Sequence, residues 1–318
     1  MKQKACKWLL SIETRSLCSK KDIHKMTLFE TDETNQFTFA PFAAHDFYTR
    51  VNRLLVQHAV QHLLTRRAAR PANTTITIVD MACGTGAISR LIVEEMARHE
   101  LLANTCIIGV DPSAEAIRLA NQSMQAEYPA VQTKFFQGDV TDLPRFVQNA
   151  DMAFFCNAIH LVPDKHDAFR HMAEILMPEG IFACNSAFYE GTYVEGTERF
   201  YRLWTRRAVG WLRKEHPEAH LSREAKAMAR QWLTPEEYVA ALQASGFAQV
   251  AIERNNALMS LDAWRDLGKY WLFIEGALPG VPLALGAAAL ENAVYQTGKE
   301  LGLTEIPRTW LQLVATKK

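Results

Sequence analysis

Carboxylates and glycines recur at fixed places along the first half of the chain. Asp80 stands at the end of the apolar run Ile76-Thr77-Ile78-Val79, and Met81-Ala82-Cys83-Gly84-Thr85-Gly86 follows it directly. Gly84 and Gly86 can take backbone angles closed to other residues, and they let a ligand lie against bare main chain. The next apolar run, Thr105 to Val110, ends on Asp111-Pro112, where a carboxylate can accept both hydroxyls of an adenosine ribose. A third run, Thr133 to Gln137, leads to Gly138-Asp139-Val140, where a carboxylate can receive an adenine amino group. Asp151 to Cys156 runs into Asn157-Ala158-Ile159-His160, which adds an amide and an imidazole. This is the chemistry of a nucleotide-type pocket.

The elements that must hold these groups follow from the pattern between them. β-Branched residues dominate Thr74 to Val79, as a strand inside a parallel sheet requires. Ile88, Leu91, Ile92 and Met96 then recur at helical spacing, so the glycine turn joins a strand to a helix whose N-terminus offers free N–H groups. A second helix begins near Ser113, and a third after Asp164 that Pro178 and Gly180 stop. A fifth strand, Gly180 to Asn185, follows a Met177-Pro178-Glu179-Gly180 turn. Strand and helix alternate throughout, which predicts parallel strands with helices on both faces. A dinucleotide turn, G-x-G-x-x-G, would carry a third glycine where this chain has Ser89, which disfavours the rival reading of an NAD(P)-dependent oxidoreductase.

The ordered motifs VDMACGTG, GVDPS, GDVTDLP, NAIHLVPD and LMPEG resemble those of class I S-adenosylmethionine-dependent methyltransferases of the small-molecule type. The resemblance covers roughly residues 74–190, with the last strands recognisable further on. It departs at Ala82, which replaces the first glycine of the family's D/E-x-G-x-G-x-G motif by a residue with one more methyl group. The resemblance implies a Rossmann-like α/β fold, a mostly parallel seven-stranded sheet whose last strand enters antiparallel, and S-adenosylmethionine as cofactor with S-adenosylhomocysteine as product. It implies that Asp80, Ala82, Gly84, Gly86, Asp111, Pro112, Asp139, Val140 and Asn157 line the cofactor, and that Asn157 and His160 face the acceptor. For a hydroxyl acceptor His160 is the candidate base, because an unperturbed imidazole titrates near neutrality; a hydrogen-bonded structural histidine is the competing reading. A protein that binds S-adenosylmethionine without catalysis is a second rival.

Length and periodicity divide the chain into an N-terminal arm (1–36), a helical cover (37–70), the cofactor core (71–190), a helical lid insertion (191–233), a core segment (234–260), a second lid insertion (261–307) and a last strand (308–318). Thr234-Pro235-Glu236-Glu237 is a capping box that opens the resumed core, and Phe247 to Arg254 and Thr309 to Thr316 are the sixth and seventh strands. The cover could bring His45, Phe47 and Tyr48 to the ligand, or simply pack on the sheet edge. Phe200, Leu203, Trp204, Trp211 and Leu212 follow helical spacing in the first lid, with Arg199, Arg202, Arg206 and Arg213 opposite. Those arginines either draw in an acidic acceptor or form a solvated face. Tyr189, Trp204 and Trp271, with His45 and Tyr48, are the candidate acceptor contacts; the alternatives are the lid's own core and a homodimer contact.

Composition bounds the rest. Lys plus Arg and Asp plus Glu both number 35, so a nucleic-acid acceptor is not expected. No apolar stretch approaches bilayer length, and Trp8-Leu9-Leu10 is too short for a signal peptide. Four of six cysteines fall in or beside core strands and none forms C-x-x-C, which reads as buried thiols in a reducing, cytoplasmic setting. His58 and His62 share a helix face but lack the H-E-x-x-H pattern, so no metal is expected. The partner expected is a small, largely apolar acceptor.

Overall fold

A computed structural model describes residues 36–67, 71, 73–222 and 232–318. The predicted arm, apart from Gln36, lies outside the described residues, as do Cys6, Cys18 and residues 223–231 of the first insertion.

The cover consists of a short helix, α1 (Ala40–Ala43), and the long α2 (Asp46–Arg67). The core follows as β1 (Ile76–Met81), α3 (Ala87–Arg98), β2 (Thr105–Asp111), α4 (Ala114–Glu127), β3 (Gln132–Gln137), α5 (Leu143–Phe146), β4 (Ala150–Cys156), α6 (Lys165–Ile175) and β5 (Leu176–Ser186). Beyond it come α7 (Glu198–Glu215), α8 (Pro235–Ala244), β6 (Phe247–Ser260), α9 (Leu261–Gly268), α10 (Trp271–Ala277), α11 (Leu283–Leu301) and β7 (Glu305–Lys317).

The seven strands form one sheet in the order β3-β2-β1-β4-β5-β7-β6. The first five pair in parallel, and β7 runs antiparallel between β5 and β6, as the resemblance implied. Period-two alternation sends Ile76 and Ile78 of β1 to one face and Val79 and Met81 to the other. α2, α3 and α4 cover the first face through residues such as Val56, Ile92 and Ala120. α6 and α8 cover the second through Phe169, Met172, Tyr238 and Leu242. Thr234 caps α8 through Glu237 N–H, and the Glu237 side chain answers at Thr234 N–H, so the capping box is complete.

Two boundaries differ from expectation. Met177 to Gly180 is no free turn: β5 begins at Leu176 directly after α6, Glu179 takes φ +62°, and the β4–β5 register shifts across this point. The helix-stopping residues therefore end α6 and form a bulge in the strand that follows. The β6–β7 ribbon is also longer than predicted, pairing as far as Ser260 with Glu305, so the second insertion occupies 261–304 rather than 261–307. α7, α9, α10 and α11 share a third hydrophobic core with Phe42 and Phe47, seated on Met259, Ile306 and Trp310 of that ribbon.

Candidate functional site

The site forms at the carboxyl ends of β1, β2 and β4. Past β1 the chain turns sharply: Ala82, Gly84 and Gly86 have φ of +55°, +52° and +85°. Ala82 in the left-handed region carries strain that glycine would not, so the departure from the family pattern adds more than a methyl group. Cys83 N–H donates to Val110 O, and Gly86 N–H donates to Cys83 O, which closes the turn over β2. A Cβ built on Gly84 meets nothing within 4 Å, so the outer side of this turn is open to a ligand.

Asp111 locks two turns together. Its carboxylate accepts from Gly84 N–H at 2.8 Å and from Ser113 N–H at 2.9 Å. The carboxylate is thereby fixed at the carboxyl end of β2, between the glycine turn and the start of α4. Ser113 caps α4, as expected, by accepting from Ala116 N–H. Pro112 is exposed, and its carbonyl accepts from the Gln137 side chain.

Asp80 is fully buried beneath the turn. Ser89 Oγ donates to its Oδ2 at 2.7 Å, while Oδ1 has no partner. Burial, and then the nearby Asp111 charge, push its carboxyl up to about 7 although the Ser89 bond opposes them. Ser89, which the sequence marked only as a missing glycine, is thus the residue that orients Asp80. A buried carboxylate with one bare oxygen is short of a cation, and a ligand ammonium would supply it.

Asp139 occupies its predicted place but spends Oδ1 on Thr141 N–H and Thr141 Oγ1, capping the 3-10 turn Val140–Asp142; Val140 is buried beside it. Tyr48 and Asn157 meet: Asn157 Nδ2 donates to Tyr48 Oη at 3.1 Å and to Asn52 Oδ1 at 2.9 Å. Trp310 Nε1 donates to Asn157 Oδ1 at 2.9 Å, and Asn185 Nδ2 donates to Asn52 Oδ1 at 2.9 Å. The Asn157 amide is therefore occupied in tying α2 and β7 to the end of β4, which differs from the acceptor-facing role expected of it. Sequence reasoning missed Asn52, Asn185 and Trp310. Asn52 left a trace, since it lies between Val51 and Leu55 on the buried side of α2 and is fully buried.

His160 packs its ring 4.4 Å from that of Phe188 and shares a 3.0 Å hydrogen bond between Nδ1 and Ser186 Oγ. That hydroxyl also accepts from Phe188 N–H, and the imidazole tautomer sets which group donates in the bond to Nδ1. Burial first, then the Lys165 and Arg308 charges, push the imidazole down to about 3. The expectation of a base titrating near neutrality is corrected: His160 is neutral at physiological pH.

The remaining acceptor candidates do not join this cluster. Tyr189 is fully buried in the core shared with Tyr238 and Phe247. Trp204 lies in the lid core, its indole N–H bonded to Leu290 O at 2.8 Å, and Trp271 packs against the same core. His45 Nε2 lies 2.9 Å from Asp266 Oδ2 of α9. Among the described residues, no group of three or more His, Cys, Asp or Glu could hold a metal ion, and no helix is long and apolar enough to cross a membrane. Cys83, Cys106, Cys156 and Cys184 are buried free thiols, and burial raises each of them, so none is primed as a nucleophile.

A seven-stranded sheet with this strand order and a glycine turn after β1 defines the class I methyltransferase fold. Residues 72–242, more than half of the chain, match a family model described as Methyltransferase domain, and the chain belongs to the class I S-adenosylmethionine-dependent methyltransferase family. A demethylmenaquinone methyltransferase of Chlamydia caviae is 23% identical over 133 residues, 42% of this chain and 53% of its own length. Erythromycin 3''-O-methyltransferase of Saccharopolyspora erythraea is 26% identical over 169 residues, 52% of this chain and 49% of its own. The chain thus spans about half the length of the curated relatives it matches. Among solved structures, the cyclopropane synthase MmaA2 from Mycobacterium tuberculosis has a TM-score of 0.50 at 14% identity, covering 90% of this chain and 94% of that one. The DszA carbon methyltransferase has a TM-score of 0.51 at 13% identity, covering 88% of this chain and 57% of that one. At such identities the likeness is one of fold.

Proposed function

We propose that this protein transfers a methyl group from S-adenosylmethionine to a small, largely apolar acceptor. The observation that carries the reading is the pairing of an open glycine turn with the buried, half-partnered carboxylate of Asp80 directly beneath it. Asp80 Oδ1 would receive the methionyl ammonium, Asp111 the ribose hydroxyls, and the loop at Asp139-Val140 the adenine edge. When bound, the cofactor supplies a methyl group already activated by its sulfonium, so the protein's task is alignment and exclusion of water.

The chain's own groups divide that task. Gly84 offers bare main chain, and α3 points its N-terminal N–H groups at the turn. Tyr48, held by Asn157, fastens the cover helix to the end of β4. His160, neutral and with Nδ1 engaged, cannot hold a proton near neutral pH, so the acceptor atom fitting this site is one that needs no strong base: an amine, an enol-like carbon or an already acidic hydroxyl. The names of the two relatives, one acting on demethylmenaquinone and one an O-methyltransferase of erythromycin, favour quinone-like or secondary-metabolite acceptors.

Calorimetric titration tests the reading. S-Adenosylmethionine and S-adenosylhomocysteine should bind at one site, NAD should not, and Asp111→Ala should weaken cofactor binding by about ten- to a hundredfold through loss of charged hydrogen bonds. Binding of NAD without S-adenosylmethionine would overturn it. Tight cofactor binding with no label transferred to a panel of phenols, quinols and amines would leave a binding protein.

A further inference from the structure

α7 pairs some of its cations and leaves others bare. Arg207 meets Glu300 of α11, and Lys214 meets Glu215. Arg202, Arg206 and Arg213 form no ion pair with any described residue, although elsewhere Arg53, Arg118 and Arg170 each find a carboxylate. The three lie on one side of the helix at four- and seven-residue spacing. They line an open groove of about 760 Å3, bordered by Tyr193 and Tyr201, whose ring centroids lie 4.4 Å apart with the planes tilted by 58°. Glu198 is the one acid in its lining. Tyr193, from the loop before α7, contributes one side of this open groove.

A fourth cation lies behind the tyrosine wall. Arg308 is 1% exposed, and its guanidinium sits 4.8 Å from the Phe188 ring centroid, 5.6 Å from Tyr193 and 5.7 Å from Trp264. It donates from Nε and Nη2 to Ala187 O, and no carboxylate among the described residues pairs with it. A buried charge without a counterion is costly, and aromatic faces offset only part of that cost. Its field therefore adds to that of the groove. Phe188 in turn touches His160 at the end of β4. Packed side chains, Tyr193, Arg308 and Phe188, thus lead from the wall of the groove to the end of β4.

We propose that the α7 groove binds the anionic end, a carboxylate or phosphate, of the methyl acceptor, with Arg202, Arg206 and Arg213 as its contacts and Arg308 as a buried charge behind it. The acceptor is then an elongated, largely apolar molecule with a charged terminus, its reacting atom lying at the cofactor. The inference rests on the methyltransferase reading for what the bound molecule is used for, but the binding itself is measurable alone.

The test titrates octyl phosphate, octanoate and 1-octanol into the full chain saturated with S-adenosylhomocysteine, with inorganic phosphate as a separate arm. Both octyl anions should bind at least about tenfold more tightly than the alcohol, two guanidinium contacts being worth that much, and the preference should shrink as salt rises. The double variant Arg202→Glu/Arg206→Glu, at two exposed positions, should abolish the preference while leaving S-adenosylhomocysteine affinity as in the wild type. Equal binding of 1-octanol, or a preference that survives the double variant, overturns the proposal. Inorganic phosphate binding as tightly as octyl phosphate overturns it too, because the groove would then hold a free ion and no acceptor tail. Loss of S-adenosylhomocysteine binding in the wild type would instead sink the cofactor reading, leaving the comparison of the octyl probes intact.

Discussion

The two ends of the candidate site are built on opposite principles. At the glycine turn the polar groups are left partly unsatisfied: Asp80 has a bare oxygen, and the space above Gly84 is empty. Between the cover and β4 the polar groups satisfy one another, as Asn52, Asn157, Asn185, Tyr48 and Trp310 bond in a closed set. Beyond them the lid is aromatic core. The lesson is that the glycine-turn end keeps free polar capacity, while the other end uses its own to hold the cover and β7 to the end of β4.

The largest effect that would break this contrast belongs to the lid. Trp204→Ala removes a fully buried indole and its bond to Leu290 O, and should cost about 3–5 kcal/mol of stability. Denaturant melts measure that loss; a variant as stable as the wild type would return Trp204 to the acceptor site. Next comes Asn52→Ala, which strands donors of Asn157 and Asn185 and should cost about 2–3 kcal/mol. Its cofactor affinity should change far less than its stability, since Asn52 touches no group at the turn.

Titration sharpens the same comparison. Asp80 is raised from 3.8 to about 7, so between those values the folded chain binds a proton that the unfolded chain lacks, and apo stability falls as pH rises through that window. His160 is lowered from 6.5 to about 3, so there the unfolded chain holds the extra proton, and stability rises with pH. The two slopes oppose each other from about pH 4 to 6.5. His160→Asn should leave the Asp80 slope exposed, up to ~1.4 kcal/mol per pH unit, in melts recorded across that range. Cofactor affinity should climb as pH passes 7 and Asp80 ionises, and Asp80→Asn should flatten that climb. A pH-independent wild-type affinity would show that Asp80 does not receive the ammonium. The smallest effect is expected at Ala82→Gly, where relief of the left-handed strain should stabilise by about 0.5–1 kcal/mol.

What the sequence disclosed follows the range of each interaction. The β1 turn, the Ser113 cap and the Thr234 capping box are local, so a few adjacent residues announce them. The Asn157 set joins residues more than a hundred positions apart in places, and periodicity shows which face is buried without showing which distant amide it meets. Asn157 and His160 were placed correctly at the end of β4, yet their chemistry depends on partners from α2, β5 and β7 that no spacing rule supplies. The Pro178 and Gly180 signals were real, but a stop for one element is silent about whether a loop or a strand comes next. The added length of β6 was hidden by Asn255 and Asn256, polar residues that a ribbon with one wet side accommodates.

Ser260 and Glu305 are cross-strand neighbours, so the whole stretch that builds α9, α10 and α11 leaves and re-enters the ribbon through a single doorway. The covalent link between the insertion and the sheet is confined to that one point, while its packing rests on Met259, Ile306 and Trp310. The three helices are thus a side room of the sheet, with one paired couple of residues serving as both entrance and exit.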